Sequence, residues 1–219
     1  MKLICLHGLG QTISSYDDLK YYLLPHIEVE VLELPKESDF KKLQGKLLER
    51  LKQEESPFIL FGLSLGGILA LSLVNYLEKC KGIIISGAQY RLKGHILFRL
   101  QITIMALLPQ IFYKHHSLDK SYLIALQKSM LNLDLQNEVE KIHLPSLIIC
   151  GSKDLPSLKP ARELHKLISN SGFVIVKGGG HQLNAQKSEE LANIIMLFIQ
   201  NQNDSSYSHE YVYAKKRFE

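Results

Sequence analysis

Cysteine is scarce. Only Cys5, Cys80 and Cys150 occur in 219 residues; the number is odd, the spacing wide, and two of them lie inside apolar runs that resemble buried strands. A disulfide framework and a zinc site are therefore not expected. Charge of one sign is not in excess either. Twenty-six Lys and Arg face 22 Asp and Glu, a formal charge of +4. It is spread along the chain apart from Lys215, Lys216 and Arg217, so no nucleic-acid partner is indicated. Long hydrophobic runs are missing as well. The longest apolar stretch, residues 96–113, is broken by Arg99, Gln101 and Pro109, and crossing a bilayer takes about 20 mostly apolar residues. A buried or interfacial helix fits that stretch better, and no stable membrane insertion is expected. The opening Leu3-Ile4-Cys5-Leu6-His7-Gly8 has no leader-like apolar segment or small-residue cleavage site, and the expected location is cytoplasmic.

What is present suffices for a core. With 46% hydrophobic and 22% charged residues, the chain is neither disordered nor a small disulfide scaffold. Six short runs (2–6, 29–34, 58–61, 82–85, 146–150 and 173–176) are mostly apolar instead of strictly alternating, as strands buried on both faces are. Between them, residues 16–24, 40–52, 65–79, 160–168 and 188–199 place Leu, Ile and Ala at helical intervals. This alternation predicts an α/β domain over residues 1–200: a doubly wound, mostly parallel sheet of about six strands with its ligand crevice at their carboxyl ends. It breaks once, at 89–142, where helical patterns occur without a convincing strand; this stretch is expected to be an inserted helical lid. Its apolar stripe, Ile96, Leu97, Leu100, Ile104, Leu107, Leu108 and Ile111, suits lid core or the wall of an acyl pocket. The polar tail 201–219, with Tyr207, Tyr211, Tyr213 and Phe218, is expected to be loose or to lay its aromatics on the surface.

Gly62-Leu63-Ser64-Leu65-Gly66-Gly67 follows an apolar run and precedes a helical pattern. A serine on such a strand-turn-helix junction has a strained backbone and an exposed Oγ, and glycines on either side let helix and strand approach closely. The helix amino end adds a partial positive field and the free Leu65 amide. A serine hydroxyl attacks only when an imidazole takes its proton, and the imidazole must itself be held. Asp154 follows the run 146–150, and His181 follows the run 173–176 within a glycine loop. Taken singly, the first reads as a turn residue and the second as a loop histidine. Together, each just past a strand end, they emerge on the sheet edge that carries Ser64. The loop His7-Gly8-Leu9-Gly10 after the first strand brings the Leu9 amide to face that of Leu65, a pair able to hold an oxyanion. His7 itself reads as structural.

These segments, with Pro145-Ser146-Leu147-Ile148-Ile149-Cys150-Gly151 leading to Asp154 and Gly179-Gly180-His181, resemble the α/β-hydrolase fold superfamily, in the compact form with a helical lid. The resemblance covers roughly residues 2–200 and includes the chain order Ser, Asp, His. It implies Ser64 as nucleophile, Asp154 as orienting acid, His181 as base, and Leu9 and Leu65 as oxyanion donors, with no cofactor and no metal. The chain begins at what is the third strand of the superfamily, and Pro35-Lys36-Glu37-Ser38 stands where many relatives carry Asp-x-x-Gly-x-Gly-x-Ser.

The expected activity is cleavage of a carboxylic ester or thioester on a small-molecule acyl substrate, with a small or medium hydrophobic acyl group suggested by the apolar stripe. The same three residues could also serve an acyltransferase, an aminopeptidase or a carbon–carbon hydrolase, and a non-catalytic binding protein could keep the pocket. Asp134 and Asp119 are alternative acids, with Asp134 better suited to capping a short helix. His115, His116 and Asp119 do not suggest a metal site, because adjacent helical histidines point apart.

Overall fold

A computed structural model of the protein describes residues 1–108 and 119–200, and residues 210–213 as backbone. Each of the six apolar runs becomes a strand: β1 (Lys2–Leu6), β2 (Glu28–Leu32), β3 (Phe58–Leu63), β4 (Cys80–Ser86), β5 (Ser146–Gly151) and β6 (Ser171–Val176). They form one parallel sheet in the order β2-β1-β3-β4-β5-β6. Four residues of the tail extend it: β7 (Glu210–Tyr213) pairs in parallel with β6, so the sheet has seven strands. Glu-Tyr-Val-Tyr is β-favouring by composition, and the exposed row of β6 backbone groups is a template for it.

Strand residues alternate between two cores although both faces are buried. Leu3, Cys5, Ile59, Phe61 and Ile149 pack beneath α1 (Asp17–Leu23) and α9 (Ser188–Gln200), while Ile4, Leu6, Leu60, Ile85 and Ile148 pack beneath α2 (Phe40–Lys52), α3 (Leu65–Leu73) and α7 (Leu155–Leu167). Fully buried sheets of this kind require helices on both sides. All three cysteines are buried and free, Cys80 also within a strand. Burial pushes the Cys80 thiol up to about 11 and the Cys150 thiol up to about 12, which leaves both inert at neutral pH.

Two helices depart from the sequence reading. α3 tightens into a 3-10 turn at Val74–Tyr76, short of residue 79. α7 starts at Leu155, five residues before the expected start, because Pro156 sits in the first turn, where a missing N–H is no loss.

Between β4 and β5 the described residues form α4 (Ile96–Leu107), α5 (Lys120–Ser129) and the single turn α6 (Gln136–Val139), with only an isolated Arg91–Asp134 bridge of extended backbone. Here the apolar stripe is corrected. Ile96, Leu97, Leu100, Ile104 and Leu107 are exposed, Leu107 at 79%, and are neither core nor pocket wall. α4 docks with its other face, through Phe98 and the buried Ile102. Ile111, His115, His116 and the tail aromatics Tyr207 and Phe218 lie outside the described residues. No helix among the described residues is long and apolar enough to cross a membrane.

Candidate active site

Everything converges at the carboxyl ends of β3, β4, β5 and β6. Ser64 follows β3 with φ 54° and ψ −114°, the one non-glycine residue at positive φ among those described. Its surroundings explain how that conformation is held. A Cβ on Gly62 would fall onto the Gly66 backbone, and one on Gly66 onto the carbonyl oxygen of Leu6. A Cβ on Gly67 would stand 2.7 Å from that of Ala88. Only glycine at these places lets α3 lie directly against β1 and β3, and the Ser64 amide, donating to Ser86 O at 2.8 Å, ties the turn to β4.

Two backbone amides near this turn are left without an acceptor among the described residues. Leu65 is the first residue of α3, where backbone N–H groups have no partner within the helix. Leu9 lies in the loop after β1, beneath which Gly66 passes. Both residues line the cavity that holds Ser64, and among the described residues neither amide donates a hydrogen bond. His7 fixes the loop: its Nδ1–H donates to Gly8 O at 2.9 Å and its Nε2 accepts from the Leu34 amide at 3.3 Å. With both ring nitrogens occupied, His7 is structural.

Asp154 follows β5 and is 7% exposed. Its Oδ2 is 2.7 Å from His181 Nδ1. Burial opposes its charge, but hydrogen bonds from His181 and from Ser157 hold its carboxyl below the usual carboxylate range. An ionised carboxylate can only accept, so Nδ1 carries a proton, and in the neutral ring the lone pair is on Nε2. His181 leaves from β6, yet its ring lies over the end of β4. A Cβ on Gly87 would stand 2.9 Å from His181 Cε1, and Gly87 adjoins the Ser86 that binds the Ser64 amide. Ser64, Asp154 and His181 thus line one cavity of about 490 Å³.

The two other aspartates are elsewhere. Asp134 accepts from the Gln136 amide at 3.1 Å at the start of α6 and pairs with Arg91. Asp119 caps α5 by accepting from the Ser121 amide at 3.1 Å. Among the described residues no cluster of His, Cys, Asp and Glu is suited to a metal.

Several contributors escaped the sequence reading. Gly87 gives the imidazole room, and its place after an apolar strand was the available signal. Gly151 lets the Asp154 turn meet the His181 loop, since a Cβ there would fall onto the Gly179 and Gly180 carbonyls. Ser157 supports Asp154. Gln11 accepts from the Gly8 amide at 3.0 Å and donates to Asn184 Oδ1 at 3.1 Å, joining the Leu9 loop to α8 (Leu183–Gln186), the short helix after His181. No local pattern marks a pair 173 residues apart.

Residues 1–93 match a family model described as a thioesterase domain, a stretch that includes Ser64 but ends before Asp154 and His181. A Synechocystis sp. protein named "Putative non-heme chloroperoxidase" is 33% identical over 69 residues, 31% of this chain and 25% of that relative; the match thus spans a quarter of the relative's length. Among solved structures, MenH from S. aureus superposes with a TM-score of 0.78 at 17% identity, covering 93% of this chain and 95% of that one. The esterase EaEST from Exiguobacterium antarcticum gives a TM-score of 0.76 at 16% identity over 91% and 92%. At such identities the structural likenesses speak for the fold.

Proposed function

We propose that this protein, an α/β-hydrolase by fold, is a serine hydrolase that cleaves carboxylic esters or thioesters through an acyl-enzyme on Ser64. One observation carries the reading: a carboxylate-bound imidazole, with Asp154 Oδ2 2.7 Å from His181 Nδ1, shares a cavity with a serine held at positive φ at a helix amino end. The thioesterase-domain match and the esterase among the structural neighbours support the same class.

In this reading Ser64 Oγ attacks the acyl carbonyl carbon while His181 Nε2 takes its proton. The Leu9 and Leu65 amides receive the developing oxyanion, aided by the positive end of α3. Collapse of the tetrahedral species expels the alcohol or thiol, which leaves with the proton from Nε2. A water molecule then gives a proton to Nε2 as it attacks the acyl group, and the acid departs as Ser64 regains its hydrogen. Asp154 remains ionised throughout and fixes the tautomer. The same reading takes the helices between β4 and β5 as a lid, supported by Phe98, Gln101, Met105 and Gln127 lining the cavity wall.

The test is labelling by a fluorophosphonate together with turnover of short p-nitrophenyl esters and thioesters. The wild type is modified at Ser64 and turns substrate over; Ser64→Ala does neither while keeping its circular dichroism. Turnover retained by Ser64→Ala, or a wild type that takes no label, removes the assignment.

A further inference from the structure

The part of the cavity wall contributed by α4 and α5 is not purely apolar. Gln127, on α5, is only 3% exposed yet lines the cavity. A glutamine amide offers two N–H groups and two lone pairs. Here one N–H is spent on Met105 Sδ at 3.2 Å, a weak thioether acceptor, and one lone pair on Gln101 Nε2 at 3.5 Å, the outer limit of a hydrogen bond. Gln89, which also lines the cavity, has a buried Oε1 with no partner among the described residues. Buried amides left this incomplete are costly unless something completes them. Phe98, Leu123 and Met130 add apolar surface to the same wall. Among the described residues of the cavity wall, Asp154 and His181 are the only titratable ones, so nothing there would compensate a charged group.

We infer that the substrate's acyl chain carries an uncharged hydroxyl, which Gln127, with Gln101 and Gln89, binds within the apolar pocket. A hydroxyl donates and accepts from one atom, matching the spare acceptors on Gln89 and Gln127 and the spare N–H on Gln127. This inference rests on the acyl-hydrolase reading for the word "acyl", and it departs from the plain hydrophobic chain suggested by the apolar stripe of α4, because that stripe faces away from the cavity. Sites built to hydrogen-bond a substrate hydroxyl discriminate strongly against analogues that lack it, since the protein groups are then left unpaired. In a purely apolar pocket the sign reverses, because a hydroxyl must shed water without compensation.

The experiment measures binding of uncharged, uncleaved probes to the Ser64→Ala protein by calorimetry: methyl octanoate and methyl esters of the 3- to 8-hydroxyoctanoic acids. The expected result is that at least one hydroxy ester binds tenfold or more tightly than methyl octanoate, and that adding Gln127→Leu reduces the preference to twofold or less. Gln101→Leu, at an exposed helical position, is a second variant that keeps the fold and should lower the preference at least threefold. Methyl octanoate binding as well as or better than every hydroxy ester, no measurable binding of any, or a preference surviving both substitutions overturns the inference. Phosphonate labelling of wild-type Ser64 decides the hydrolase reading separately: a hydroxyl preference without labelling keeps this subsite and removes the enzyme, and labelling without preference does the reverse.

Discussion

Ser64 holds a backbone conformation that costs a residue bearing a side chain about 1–3 kcal/mol, and the contacts of Gly62, Gly66 and Gly67 hold it there. Glycine would relieve that strain while adding about 0.4–1 kcal/mol of unfolded-state entropy. Ser64→Gly should therefore be more stable than Ser64→Ala by about 1 kcal/mol in urea denaturation, although both lose turnover; an equal or lower midpoint would mean that the turn is unstrained. Asp154 acts on His181 by accepting from Nδ1–H, and an asparagine there can present an N–H instead, turning the lone pair to the wrong nitrogen. Asp154→Asn should lower kcat by about 10⁴-fold with little change in ester binding. Because hydrogen bonds from His181 and Ser157 outweigh the effect of burial and hold the Asp154 carboxyl below its usual range, that carboxylate stays charged in mild acid. Protonation of Asp154 should therefore cause no loss of activity in mild acid, which a pH profile of kcat checks.

Helix α3 shows how one element sets the site, and glycines in two helices separate close approach from simple flexibility. Gly66 packs its backbone on the Leu6 carbonyl, where neither partner can move aside, so Gly66→Ala should destabilise by more than about 4 kcal/mol or prevent folding. Gly45, inside α2, has nothing within 4 Å of the place a Cβ would take, and Gly45→Ala should stabilise by roughly 0.5–1 kcal/mol. Denaturation curves of the two variants check both signs. The loop after β1 depends on a different bond: Gln11 accepts from the Gly8 amide and is held by Asn184. If Leu9 serves as the proposed oxyanion donor, Gln11→Leu should reduce kcat more than it raises KM, because the loop carrying Leu9 loses its anchor.

Across the whole molecule, the candidate site lies at one end of the sheet and an ion cluster at the other, where Lys2 on β1 meets Glu54 at 3.1 Å and also Glu30, and Arg50 meets Glu30 at 2.8 Å. Burial opposes the Glu54 charge, but Arg50 and Lys2 lower its carboxyl below the ordinary value of 4.5. A carboxyl lowered on folding contributes its full stability above that ordinary value and loses it as the pH falls through the folded one. Stability should thus drop below about pH 4.5, and Glu54→Gln should flatten that acid limb while costing about 1 kcal/mol at pH 7, since Arg50 is partly exposed and screened. How far such features could be read from the chain depends on their range. Apolar runs such as Leu3–Leu6 and Phe58–Leu63 announce doubly buried strands by composition alone, and the Gly62-to-Gly67 turn states its own backbone demand. Asp154 and His181 are legible because each lies within a few residues of the end of such a run. Local pattern therefore sufficed for the parallel sheet, the serine turn and the edge on which the three side chains emerge. Packing alone settled that α4 turns Phe98 and Ile102 inward, that residues 210–213 take the open edge of β6, that Gln11 meets Asn184, and that Gln127 lines the cavity. Those choices depend on which surfaces remain uncovered once the strands are neighbours, and contacts between segments far apart along the chain leave no periodicity within either one.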